Sequence, residues 1–141
     1  MKNFDEYQKF MRYKYGYQAF GIVLVLTLIN YFMSLFMSLL GETRELETMV
    51  IVLIAIMYSL IMYIYKGAYF TKKQNHKLYA VIFFLIGVLN IFNSLSPYTP
   101  LIADGKITSN FLILIAGILW LSIPATYVTR MVVEKKRASK R

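Results

Sequence analysis

The chain contains no cysteine, which excludes disulfides, thiolate metal sites and thiol nucleophiles at once. It has a single histidine, His76, set in a short basic stretch with no carboxylate beside it. One isolated imidazole makes neither a metal cluster nor a catalytic relay, and the simplest expectation for it is a solvated loop position. Acids are scarce, seven against sixteen Lys and Arg. All seven lie outside the apolar runs, where no pair has acid–base or metal-ligand context. Gly87 and Gly117 stand alone, so there is no phosphate-binding loop and no strong small-xxx-small dimer motif. No cleaved leader is expected, because the first apolar run begins late, is too long for a signal core and lacks a small-x-small end. These absences predict a protein that is not an enzyme and uses no cofactor or metal.

What the chain has in abundance is apolar length. Hydrophobic residues make up 58% of its 141 positions, with mean hydropathy +0.53. They gather into four runs, about 19–40, 49–70, 78–95 and 111–133. About 20 mostly apolar residues suffice for a helix to cross a bilayer. The reading is an all-α membrane protein, with four transmembrane helices forming a bundle over 17–133. In the leader, 1–16, Phe4, Tyr7, Met11 and Tyr15 recur at helical spacing. That spacing predicts a short, separate amphipathic helix lying in the interface, with Gly16 as the turn into the bilayer. GETRELET reads as the first loop, Pro97 and Pro100 as the end of the third span, and Asp104-Gly105 as a turn. Ser109 or Asn110 is a candidate cap for the fourth span, and Pro124 a candidate kink within it. The basic tail, 134–141, is expected to be mobile.

Charge then orients the spans. Leader, middle loop and tail carry fourteen of the Lys and Arg, and the other two loops carry two. The positive-inside rule puts both termini and the middle loop in the cytoplasm. Lys66, Lys72, Lys73, Arg130, Lys135, Lys136 and Arg137 are the expected contacts to lipid headgroups. The tail is too short and too poor in aromatics for a nucleic-acid surface.

Polar residues inside the spans are few and regularly spaced. Thr27, Asn30, Ser34 and Ser38 form one stripe on a helix; Asn90, Asn93 and Ser94 form a second. Asn30 and Asn90 each lie about 18 Å from the cytoplasmic start of a span, at 1.5 Å per residue. They are therefore expected at similar depth. Such stripes serve either as helix-packing glue or as the lining of a small cavity open to the outside. The functional expectation is a non-enzymatic integral membrane protein. It would act as a sensor, protective (immunity-like) or scaffold module by binding lipid, another membrane protein or itself. The alternative is a small oligomeric transporter or channel subunit with an Asn/Ser-lined path.

Two stretches carry a family likeness. DEYQKFMRYKYGYQAF, running into a span that contains LIN, and KGAYF after the second span resemble small four-span membrane proteins of low-GC Gram-positive bacteria. These are sometimes labelled permease-like and often lie beside a helix-turn-helix repressor gene. The likeness covers the first half of the chain. It implies a bacterial plasma membrane and a multi-pass protein, and it brings no catalytic residues with it.

Overall fold

A computed structural model describes residues 4–36, 40–71, 74–95 and 100–139. Four helices make up most of it, in chain order α1 (Glu6–Phe36), α2 (Arg44–Tyr65), α3 (His76–Ser94) and α4 (Ser109–Ala138). All four are long and apolar enough to cross a membrane. Between α3 and α4 lies a two-stranded hairpin, β1 (Ile102–Ala103) and β2 (Lys106–Ile107). Asp104 and Gly105 sit at its tip with φ of 50° and 74°. Two consecutive positive φ values are what a tight hairpin turn needs, and Asp-Gly supplies them at little cost.

The helix starts follow local chemistry. Asp5 accepts a hydrogen bond from the Gln8 amide (2.8 Å), while the Gln8 side chain accepts from the Asp5 amide (3.3 Å), a reciprocal cap. From there α1 runs without a break through Gly16, so the separate interfacial helix expected over 1–16 is instead the first turns of the first span. Gly16 does not turn the chain; its missing side chain leaves room for the Tyr63 hydroxyl, which would lie 3.1 Å from a Cβ at that position. Thr43 caps α2 through its side-chain oxygen, which accepts from the Leu46 amide. The helix that holds the second apolar run therefore begins at Arg44, ahead of the run's expected start near Met49, and most of the expected first loop is helical. It also stops early, at Tyr65. Gly67, at φ +71°, reverses the chain, with Gly67 N donating to the Ile64 carbonyl and Ala68 N to the Tyr63 carbonyl. Residues 134–138, expected to be mobile, continue α4, which also passes uninterrupted through Pro124. Thr108, not Ser109 or Asn110, occupies the N-cap of α4, and its hydroxyl donates to the Pro100 carbonyl at 2.7 Å.

In the packing order, α2 lies against α1 on one side and α4 on the other, and α4 lies against α3. The helices thus form a row, α1–α2–α4–α3, with α1 and α3 at its edges. The closest seam is α3 on α4. A Cβ on Gly117 would lie 2.7 Å from Ile91 Cγ1, 3.0 Å from the Ile91 amide nitrogen and 3.2 Å from the Gly87 carbonyl oxygen. A Cβ on Gly87 would meet Leu121 as closely, at 2.7 Å from its Cγ. Two glycines that look unrelated in the sequence face each other across one crossing, where their small size lets the backbones touch. The seam continues toward the chain's basic end as ring contacts, with Phe83 stacked on Trp120 (5.3 Å) and Phe70 edge-on to Tyr127 (6.2 Å).

Gly117→Ala is expected to force this crossing apart at the backbone, an overpacking cost of about 1–3 kcal/mol. Gly21→Ala supplies the control, since nothing lies within 4 Å of its added methyl. Melting in detergent should show a clear drop for the first and none for the second; equal behaviour would refute the tight crossing.

Candidate functional site

The two ends of the row differ in charge. Among the described residues, the end formed by the start of α1, the 66–77 turn and the close of α4 carries nine Lys and Arg against three acids. The hairpin end carries two against four. Hollows open at both ends; at the basic end a smaller one of about 260 Å³, with Arg12 of α1 and Tyr79 and Phe83 of α3 in its lining, lies apart from the cleft described below.

At the hairpin end the organising residue is Glu47, in the first turns of α2 and only 6% exposed. Its Oε1 accepts from the backbone amides of Leu40 (2.6 Å) and Gly41 (3.0 Å), and its Oε2 accepts from Asn30 Nδ2 (2.9 Å). The same short segment pairs with the hairpin: Ile107 N donates to the Leu40 carbonyl (2.8 Å) and Glu42 N to the Ile107 carbonyl (3.0 Å). One carboxylate thus joins α1, α2 and the loop that seats the hairpin. Beside it, between α1 and α2, is an open hollow of about 150 Å³. Thr27, Asn30, Tyr31 and Ser34 line it from α1, and Arg44, Glu47 and Thr48 from α2.

The first polar stripe is therefore brought together at this hollow as far as it is described; Ser38 lies outside the described residues. The second is not. Asn90 donates to the Ile86 carbonyl of its own helix (2.9 Å), and Asn93 is exposed. Ser94 is buried, its hydroxyl donating to the Ile91 carbonyl (2.8 Å) and its own carbonyl accepting from Asn110 Nδ2 (2.6 Å). With α1 and α3 at opposite edges of the row, Asn30 faces Glu47 and not Asn90. Glu47 itself was missed by reading GETRELET as loop. The signal for it was there: a Thr cap followed by acids in the first turn, where the helix dipole favours them.

At the basic end the turn after α2 exposes a run of carbonyls, and side chains from α1 and α4 reach them. Gln8 Nε2 donates to Gly67 O (2.9 Å) and Phe70 O (3.1 Å). Arg12 donates to Ala68 O (2.7 Å) and Tyr69 O (2.8 Å), with its guanidinium 3.7 Å above the Phe4 ring. Arg130 Nη1 donates to Ile64 O (3.3 Å), and its Nε pairs with Glu134 (2.7 Å). His76 is not a free loop residue: it opens α3, its Nε2 lies 3.2 Å from Thr71 O, and its ring stacks on Phe70 at 4.9 Å.

An open cleft of about 420 Å³ adjoins this cluster, lined by Tyr7 of α1, Tyr65 and Lys66 at the end of α2, and Arg130, Val133, Glu134 and Arg137 of α4. Of the seven expected headgroup contacts, Lys66, Arg130 and Arg137 meet here. Lys135 and Lys136 are exposed on α4 away from the cleft lining, while Lys72 and Lys73 lie outside the described residues. Among the described residues no group of three or more His, Cys, Asp or Glu is placed to hold a metal ion. No family model matches this chain, and no curated protein or solved structure matches it either.

Asn30→Leu and Glu47→Ala should each destabilise the protein, Glu47→Ala more, because it leaves the buried Gly41 amide unpaired at about 1–3 kcal/mol and the part-buried Leu40 amide with it. Together they should cost less than their sum, whereas Asn30→Leu and Asn90→Leu should add. Chemical unfolding in detergent of the single and double variants tests both statements, and coupling between Asn30 and Asn90 would contradict the packing order.

Proposed function

We propose that this is a non-enzymatic, multi-pass protein of a bacterial plasma membrane, acting as a sensor, protective or scaffold module by binding a helix of another membrane protein along α1. The observation that carries the reading is the hollow on the α1–α2 seam. It is the size of a side chain, lies on a helix whose main packing partner is α2, and offers hydroxyls, an amide, a carboxylate and a guanidinium. Lipid tails have no use for such groups, whereas a polar side chain on an incoming helix does. The apolar stretch of α1 is also the least enclosed of the four, with none of its best window buried against 17% in each other helix. The family likeness of the first half of the chain agrees with this membrane and with a role lacking catalysis. The transporter alternative gains less support. The polar groups of α1 and α3 stand at opposite edges of the row, so a path lined by both would require several copies.

The charge difference between the ends supports both termini being cytoplasmic. In intact cells Glu42→Cys is expected to react with an impermeant maleimide and Ser139→Cys to remain unlabelled; the reverse pattern would invert the orientation. Partner binding is tested by a photo-crosslinking residue at Tyr31 in native membranes. A defined membrane-protein adduct is expected, and Ser34→Phe, which fills the hollow, should remove it without lowering the melting temperature. Adducts to lipid alone would refute the reading.

A further inference from the structure

We infer that the cleft at the basic end is a binding site for a phosphate-bearing anion. Three cations line it and one carboxylate opposes them. That carboxylate, Glu134, is already engaged at Arg130 Nε. Arg130 is set in place before any ligand arrives. Its Nη1 is tied to the Ile64 carbonyl, and its guanidinium sits against Gly67, where an added Cβ would overlap it. Its Nη2 has no hydrogen-bond partner among the described residues. Lys66 and Arg137 form no ion pair among the described residues; Lys66 Nζ rests 5.7 Å from the Tyr65 ring centre. Arg130 and Arg137 are seven residues apart on one continuous helix, two turns along one face, with Val133 between them.

A planar guanidinium with one nitrogen still unpaired among the described residues and two further cations is suited to the oxygens of a phosphate. The wall formed by Tyr7, Tyr65 and Val133 suits something less polar attached to it. The volume, about 420 Å³, exceeds what a bare phosphate fills. The cleft opens where the apolar stretches of α2 and α4 give way to charge, the level at which headgroup phosphates lie beside a spanning helix. The chemistry is shared by a lipid phosphodiester and by free phosphate. The inference rests on the membrane-spanning reading and not on a partner at α1, so failure of either leaves the other standing.

The test is native mass spectrometry of the detergent-solubilised protein exposed to equal amounts of phosphatidylglycerol and phosphatidylcholine, with and without millimolar inorganic phosphate. The companion variant is Lys66→Gln/Arg137→Gln, which spares the Arg130 contacts to Ile64 and Glu134. Several-fold retention of phosphatidylglycerol over phosphatidylcholine, resistant to inorganic phosphate and lost in the variant, assigns the site to the lipid. No lipid preference, but a rise in melting temperature with inorganic phosphate that the variant lacks, assigns it to the free anion. The variant should melt as the parent does without either ligand, and Lys66→Arg should keep the binding. Equal retention of the two lipids with no response to phosphate overturns the inference, as does a preference that the double variant preserves.

Discussion

The carbonyl end of α2 is where three parts of this chain are tied together. A helix leaves its last carbonyls without internal partners, and near hydrocarbon an unsatisfied carbonyl costs several kcal/mol. The Gly67 turn closes two of them through the backbone. Arg130 from α4 adds a second donor to the Ile64 carbonyl, and the carbonyls of the turn itself, 67–70, are met by Gln8 and Arg12 from α1. Gln8 does this while also closing the start of its own helix, so α1 begins and docks through one side chain. This explains why α1 extends well below its apolar run: the added turns carry the donors that the turn after α2 lacks.

The hairpin end solves the complementary problem with one anion. Leu40 and Gly41 present amides where the chain leaves α1, and Glu47 accepts from both. An acid in the first turn of a helix is already favoured by the dipole. Asn30 completes the arrangement by donating to the second carboxylate oxygen. Cationic and amide donors at one end and a carboxylate at the other thus fasten α1 to α2. Along the seam between them, Tyr63 hydroxyl meets the Arg12 carbonyl (3.1 Å) and Tyr58 hydroxyl meets Gln18 (2.7 Å). The α3–α4 seam is held differently, by the mutual approach of Gly87 and Gly117 and by stacked rings.

Much of the architecture was legible in the sequence because it depends on length and hydropathy, which are local. Four apolar runs gave four helices, and Asp104-Gly105 gave the hairpin tip. The boundaries shifted where a polar residue had a distant partner. Glu47 reads as loop because an acid beside an apolar run is costly unless paired, and its partners Leu40, Gly41 and Asn30 lie on the preceding helix and loop. The leader reads as a separate interfacial helix because nothing in it shows that carbonyls some sixty residues later face Gln8 and Arg12. Gly87 and Gly117 lie on different helices, and no spacing rule within one helix links them. Of the stripes, the spacing of Thr27, Asn30 and Ser34 did foretell a shared face. The match in depth between Asn30 and Asn90 did not foretell contact, since depth along a helix says nothing about order across a row.

That order also fixes how the two hollows relate. Both touch α1 and α2, but only one touches α4: Thr27, Asn30 and Ser34 of α1 face Arg44, Glu47 and Thr48 of α2 in the first, whereas Arg130, Val133, Glu134 and Arg137 of α4 join Tyr7, Tyr65 and Lys66 in the second. A 31-residue helix spans about 46 Å at 1.5 Å per residue, so no small ligand bridges them. An occupant of the upper hollow sits against the Asn30–Glu47 contact and hence the hairpin seat. One in the lower cleft sits against Arg130 and the carbonyl cluster held by Gln8 and Arg12. Three helices connect the two: α1 and α2 directly, and α4 through Ile107, which pairs with Leu40 and Glu42 just before that helix begins. The glycine seam of α3 and α4 supplies neither hollow with the whole of its lining, and it serves to brace the pair from one side only.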